Sequence, residues 1–125
     1  MPALRFNHYN IRAQQPHLDA IRDFYVDIVG MHVGWRPPFD FGGYWLYLGD
    51  QAVLHLVDGS PVKAGAGQID HVAFTCSGLP QLEERLSQAG IAYRKSTVPG
   101  TTQVQLFAHD PVGNGVEFNF ASADA

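Results

Sequence analysis

The two halves of the chain repeat the same order of strand and helix patterns, and this repeat limits the fold more than any other feature. Residues 6–11 read FNHYNI and residues 69–74 read IDHVAF, so each half opens with a histidine inside an apolar run. In each half a helix pattern with 3-4-3 apolar spacing follows and ends at a glycine, Gly30 or Gly90. Corresponding features lie about 60 positions apart, which predicts two copies of one structural unit.

Each copy is predicted to contain one helix and four strands in the order βαβββ. The helix positions are Leu18, Ile21, Tyr25 and Ile28 in the first copy and Leu79, Leu82, Leu86 and Ala89 in the second. The predicted strands are 4–12, 31–35, 44–49, 52–57, 69–76, 91–96, 103–110 and 115–120. The sequence therefore predicts a single α+β domain over 1–125, with module one at 4–57, a linker at 58–68 and module two at 69–121. Two tandem βαβββ modules would form a curved mixed sheet around a central cleft, each helix covering one face.

Composition excludes several classes of function. The 125 residues are 46% hydrophobic and 16% charged, which supports a buried core. The net charge of −4 and the absence of a basic run argue against nucleic-acid binding. No run is apolar over the length of a membrane span, and the start lacks a signal-peptide pattern, so a cytoplasmic protein is expected. Cys76 is the single cysteine, which excludes an internal disulfide and a thiolate zinc cluster.

Polar residues alternate with apolar ones in the strands AVLHLV, IDHVAF and GVEFNF. The apolar members predicted to pack under the helices include Leu54, Leu56, Val116, Phe118 and Phe120. Alternation then turns His55, His71 and Glu117 to the open face, and the repeat places His8 there too. A lone histidine on a strand is more often a hydrogen-bonded core residue. Three imidazoles and one carboxylate at repeated positions nevertheless favour a divalent metal site with room for substrate.

Further residues are predicted to line the same cleft and to bind substrate. They are Trp45, Tyr47, Arg36, Gln105 and Asn119. The two aromatic residues would form a wall beside His55, and the two amides would orient a bound oxygen. Arg36, together with Arg12 and Arg94, could pair with a substrate carboxylate or phosphonate, although solvated arginines are the commoner case.

At these residues the sequence resembles the vicinal oxygen chelate superfamily, which includes glyoxalases, bleomycin-resistance proteins and extradiol dioxygenases. The resemblance covers essentially the whole chain and is carried by FNHYNI, FYVDIVGM, YWLYLGDQAVLHL, IDHVAF and HDPVGNGVEFNF. The last segment is similar to the family ending DPxGN-x-x-E. His8 and His71 match the histidines of the two first strands in the family, and Glu117 matches its terminal glutamate. Position 55 departs from the pattern, because glyoxalase I and methylmalonyl-CoA epimerase usually carry Glu or Gln there.

The resemblance implies a metal-dependent enzyme that acts on a small molecule with two adjacent oxygens. One divalent ion (Ni, Zn, Co, Mn or Fe) would be held by His8, His55, His71 and Glu117. In a lyase or isomerase of the glyoxalase type, Glu117 would move a proton between adjacent carbons, and His55 would be either a ligand or an acid–base residue. Two histidines and one glutamate would also suit an Fe(II) extradiol-type dioxygenase. A metal-free binding protein of the bleomycin-resistance kind is the third alternative, and a homodimer is expected in each case.

Overall fold

The computed structural model describes residues 4–60 and 69–125, and each of these two ranges forms its own compact unit. Most of the predicted linker, residues 61–68, lies outside the described residues. Each unit contains one helix and one four-stranded sheet. None of the helices in the described ranges is long and apolar enough to cross a bilayer.

The first unit is a βαβββ arrangement whose sheet has the order β1-β4-β3-β2. Its elements are β1 (Tyr9–Ala13), α1 (His17–Phe24), β2 (His32–Gly34), β3 (Gly43–Leu48) and β4 (Gln51–Asp58). Strand β1 pairs in parallel with β4, and the other neighbours are antiparallel. The last turns of the helix widen into a π-helical segment, Tyr25–Val29, which ends where Gly30 adopts a left-handed φ of 93°. Phe24 and Tyr25, which meet where the two helical segments join, are both buried.

The second unit repeats this arrangement with the sheet order β5-β8-β7-β6. Its elements are β5 (His71–Thr75), α2 (Leu79–Gln88), β6 (Arg94–Thr97), β7 (Val104–His109) and β8 (Gly115–Phe120). Here β5 pairs in parallel with β8, as β1 does with β4. The predicted repeat and the predicted α+β fold of two βαβββ modules are therefore confirmed.

The helices and the alternating apolar strand residues form the core of each unit. Buried residues predicted from the apolar patterns are Leu18, Ile21, Tyr25, Ile28, Leu54 and Leu56 in the first unit, and Leu79, Leu82, Leu86, Val116, Phe118 and Phe120 in the second. Side chains alternate along a strand, so on β4 and on β8 the residues between the buried ones point to the opposite face of the sheet. This alternation places His55 and Glu117 on the sheet face that does not pack against the helix.

Two strands begin three or more residues later than the sequence predicted. The strand expected at 4–12 is β1, which starts only at Tyr9, because its ladder with β4 begins at the Tyr9–Leu54 pair. His8 therefore lies just before the strand rather than inside it, and Leu4 and Phe6 are 86% and 66% exposed. The strand expected at 91–96 begins at Arg94, where pairing with Phe107 starts.

Candidate functional site

Glu117 is the best-fixed polar residue of the second unit. Its side chain is buried, with 8% of the residue exposed, and lies on β8 between the core residues Val116 and Phe118. Its Oε2 accepts hydrogen bonds from Asn119 Nδ2 at 2.6 Å and from Gln105 Nε2 at 3.2 Å. A buried carboxylate is costly unless it is hydrogen-bonded, and these two amides satisfy one of its oxygens. The other oxygen, Oε1, is left for a different partner.

That partner is His71, the first residue of β5. Its Nε2 lies 3.3 Å from Glu117 Oε1, and its Nδ1 lies 2.8 Å from Asp70 Oδ2. Since a carboxylate can only accept, Nδ1 carries a hydrogen and donates it to Asp70. The pKa of His71 lies above the ordinary histidine value, mainly because of this hydrogen bond to Asp70. Burial lowers the pKa by less than the bond raises it, and the negative charges of Glu117 and Asp70 raise it further. The carboxylate–histidine pair also fixes the ring so that Nε2 points to Glu117.

The His71–Glu117 pair has the separation that two ligands of one metal ion require. Nitrogen and oxygen ligands lie about 2.0–2.2 Å from a zinc ion, so two ligands at octahedral or tetrahedral angles are roughly 2.8–3.6 Å apart. The observed 3.3 Å lies inside this range. A ligating histidine also usually donates its second ring N–H to a carboxylate, which is what His71 does with Asp70. The residues present therefore fit a divalent ion as well as they fit an ion pair.

The first unit contains a similar histidine arrangement. His8 Nδ1 lies 2.7 Å from Oδ1 of Asn7, the residue that precedes it, as Asp70 precedes His71. An acceptor on Nδ1 leaves Nε2 with its lone pair, which is the form that binds a metal ion. Asn7 and Asp70 were missed in the sequence analysis. The signal was present, since each half carries a polar acceptor immediately before its strand-opening histidine.

His55, on β4, lies between two flat side chains of the first unit. Its ring stacks on His8 at 3.8 Å between centroids and on Trp45 at 3.9 Å, with interplanar angles of 17° and 5°. Burial lowers the pKa of His55, and the neighbouring His8 lowers it further, so the ring is neutral at pH 7. Lone pairs lie in the ring plane, and planes stacked in this way meet only more than about 10 Å away, far beyond a metal–nitrogen bond. In this arrangement His8 and His55 do not both point a nitrogen at one ion.

The other predicted substrate residues mostly have partners inside the protein. Tyr47 donates its hydroxyl hydrogen to the Trp35 carbonyl at 2.6 Å, and its ring lies against Gly34 of β2. The guanidinium of Arg36 lies 5.1 Å from the Phe39 ring and donates to the carbonyl of Phe41.

Gln105 and Asn119 were predicted to orient a substrate oxygen, but their amides donate to Glu117. Asn119 is itself fixed by Gln103, whose Nε2 donates to its Oδ1 at 2.7 Å. The two amides thus position the carboxylate. Trp45, also predicted to bind substrate, lies directly against the ring of His55.

The predicted four-residue metal site is divided between the units. The first unit holds the His8–His55 stack, and the second holds the His71–Glu117 pair. Within residues 4–60 and 69–125, no three His, Cys, Asp or Glu side chains are grouped so that they could hold a metal ion. The full ligand set thus remains a prediction, and the second-unit pair is its best-supported part.

A chain with this fold and a histidine–carboxylate pair at the repeated strand positions fits the class of small-molecule enzymes and binding proteins built on paired βαβββ units. Residues 5–118 match the family model of the Glyoxalase/Bleomycin resistance protein/Dioxygenase superfamily. The chain belongs to this superfamily.

Similar proteins and solved structures also belong with this family, and they include both enzymes and a binding protein. Glyoxylase I 4 of Arabidopsis thaliana is 32% identical over 120 residues, which cover 89% of this chain and 67% of the relative. Lactoylglutathione lyase of Agrobacterium tumefaciens has a TM-score of 0.68 at 21% identity, covering 96% of each chain. TnmS3, an antibiotic-binding protein of Streptomyces sp. CB03234, has a TM-score of 0.72 at 21% identity, covering 98% of this chain and 99% of that one. The shared fold thus occurs both in an enzyme and in a binding protein.

Proposed function

We propose that the protein is a metal-dependent enzyme of the glyoxalase type, a lyase or isomerase acting on a small molecule whose adjacent oxygens chelate a divalent ion. The observation that carries the proposal is the 3.3 Å separation of His71 Nε2 and Glu117 Oε1, with each side chain fixed from behind. Asp70 holds the imidazole, and two amides hold the carboxylate. The 32% identical relative, named as a glyoxylase I, supports the same reading.

In this proposal His71 and Glu117 hold the ion, and His8 is the third ligand. Carboxylate and imidazole donors suit Zn, Ni, Co, Mn or Fe. Bound there, the ion would polarise the substrate oxygens and stabilise negative charge as it develops on them. The residues of the chain would position the substrate and transfer its proton.

The sequence analysis gave Glu117 two roles, metal ligand and proton-transferring residue, and its hydrogen bonds argue against one residue filling both. Because Asn119 and Gln105 occupy Oε2, only Oε1 is available for a ligand bond or for a proton. If Oε1 binds the ion, the proton must move through another group. His55 is the proposed acid–base residue, since it is neutral at pH 7 and the stack disfavours it as a ligand.

The metal content of the purified protein tests this function. Protein prepared without an affinity tag or chelator is expected to contain close to one divalent transition-metal ion per chain. After removal of the ion, Zn²⁺ or Ni²⁺ is expected to bind again with the same stoichiometry, measured by elemental analysis after dialysis. Protein that carries no ion and binds none tightly would contradict the enzyme proposal.

A metal-free binding protein is the second candidate, and the aromatic stack favours it. The rings of His8, His55 and Trp45 are stacked in that order. Trp45 also makes an edge-to-face contact with Trp35, with 6.2 Å between the ring centroids. Trp35 is 69% exposed, which leaves a flat surface for an aromatic ligand. The structural similarity to the antibiotic-binding protein TnmS3 is consistent with such a role. An absence of bound metal in the test above would favour this candidate.

We also propose that the protein is a homodimer, as is usual in the family that it resembles. Large exposed apolar residues in or just before the edge strands β1, β2 and β5 support this, since Phe6, Val33 and Ile69 are 66%, 48% and 94% exposed. Sedimentation equilibrium at micromolar concentration is expected to give twice the chain mass of 13.7 kDa. A single-chain mass at that concentration would contradict the dimer.

A further inference from the structure

The second unit contains a pocket of about 540 Å³ that His71 lines, and Glu117 lies next to that histidine without lining the pocket. The polar and aromatic residues of its lining are Asp70, His71, Tyr93, Arg94, Phe107 and His109. A pocket of this volume suits a small molecule with one or two rings.

Strand register places a cation, an aromatic ring and the buried carboxylate in one row. Arg94 on β6 is opposite Phe107 on β7, and Phe107 is opposite Glu117 on β8. Residues paired across neighbouring strands point to the same face of a sheet. Strands are about 4.8 Å apart, so the backbones of Arg94 and Glu117 are separated by roughly 10 Å. Phe107 forms the apolar floor between them.

The guanidinium of Arg94 is held over that floor. Its central carbon lies 4.3 Å from the centroid of the Phe107 ring, a cation–π contact that orients the group without using its N–H donors. Among the described residues, Arg94 has no carboxylate partner. The neighbouring cation Lys95 differs, since its Nζ lies 3.1 Å from Glu83 Oε1. Asp70 is the acidic residue of the pocket lining, and its carboxylate accepts a hydrogen bond from His71 and not from Arg94.

We infer that Arg94 is a specificity residue that binds a carboxylate of the ligand, so that the pocket takes a small molecule with an apolar segment between its chelating oxygens and a terminal carboxylate. The chelating end of this inference rests on the function proposed above, whereas the carboxylate end rests on Arg94 and Phe107. A planar guanidinium with free edges suits a carboxylate because it can donate two parallel hydrogen bonds.

Two matched probes test the carboxylate end. 3-(3,4-Dihydroxyphenyl)propionate and 4-propylcatechol share adjacent hydroxyls and a ring, and they differ in a terminal carboxylate or methyl group. Titration calorimetry of the zinc-loaded protein is expected to show about tenfold tighter binding of the carboxylate probe, the low end for a charge-assisted hydrogen bond because Arg94 is exposed. Arg94→Gln is expected to remove this preference.

Lys95→Gln is the matched control, because it removes the same charge from the adjacent residue, which pairs with Glu83 instead of lining the pocket. It is expected to keep the preference. Equal binding of the two probes to the unsubstituted protein, including no measurable binding of either, would overturn the inference. An equal loss of the preference in both variants would also overturn it.

A third probe separates this inference from the proposed function. 3-Phenylpropionate has the carboxylate and the ring but no chelating hydroxyls, so its binding is expected to depend on Arg94 and not on zinc. If zinc had no effect on 4-propylcatechol while 3-phenylpropionate still required Arg94, the metal proposal would fail and the inference about Arg94 would stand.

Discussion

Glu117→Gln is expected to lower the affinity for Zn²⁺ or Ni²⁺ by more than about 100-fold, because even residues that only support a ligand typically contribute 10–100-fold. The substitution removes the negative charge of the proposed set but keeps the shape of the side chain. The new amide can still accept from Asn119 through its oxygen, and its nitrogen can donate to His71, so the protein should remain folded. Competition with a chromophoric chelator measures the affinity, and circular dichroism checks the fold.

Glu83→Gln provides a matched control for this loss of charge. Glu83 lies in the same unit, but its carboxylate binds Lys95 and the Tyr93 hydroxyl. It is expected to change metal affinity by less than about twofold, since exposed ion pairs contribute little. A Glu117→Gln protein that binds metal as tightly as the control would show that Glu117 is a structural acceptor for its two amides.

His8→Ala is expected to weaken metal binding far more than His55→Ala. His8 has its Nδ1 fixed by Asn7 and its Nε2 available, so its loss should exceed about 100-fold, as for a ligand. His55 lies inside the ring stack, and its removal should change the affinity by about tenfold or less while reducing activity. Asn7→Ala should fall between the two, because it removes the group that orients His8.

The same titrations have clear contradicting outcomes. Equal large losses in His8→Ala and His55→Ala would make His55 a ligand, and the stack would then have to open when metal binds. If neither variant changed the affinity, the first unit would supply no ligand. The His71–Glu117 pair of the second unit would then account for binding by itself.

The sequence predicted the fold well because the fold depends on periodic patterns that occur twice. Apolar spacing located both helices, and alternation on β4 and β8 identified Leu54, Leu56, Val116, Phe118 and Phe120 as core residues. Glycines ended both helical segments as predicted, with left-handed φ values at Gly30 and Gly90. Each of these signals is local, so it can be read without knowledge of the neighbouring strands.

The contacts around the candidate site depend on strand pairing, which the sequence alone does not reveal. Gln105 and Asn119 were recognised as polar residues near the site, but their positions directly opposite each other, beside Glu117, follow from the β7–β8 register. The contact of Tyr47 with Trp35 likewise depends on the pairing of β2 with β3, in which Gly34 is opposite Trp45 and leaves room for the Tyr47 ring. The stacking of His55 depends on ring orientation, which no sequence pattern specifies.

Anomalous diffraction at the zinc edge, from crystals of the zinc-loaded protein, would locate the ion relative to the His71–Glu117 pair. A zinc ion is expected about 2.0–2.2 Å from both Nε2 of His71 and Oε1 of Glu117, with Asp70 still bound to Nδ1 and the two amides still on Oε2. A zinc ion bound elsewhere, or bound to His71 while Glu117 kept only its protein partners, would show that these two residues do not form the metal site.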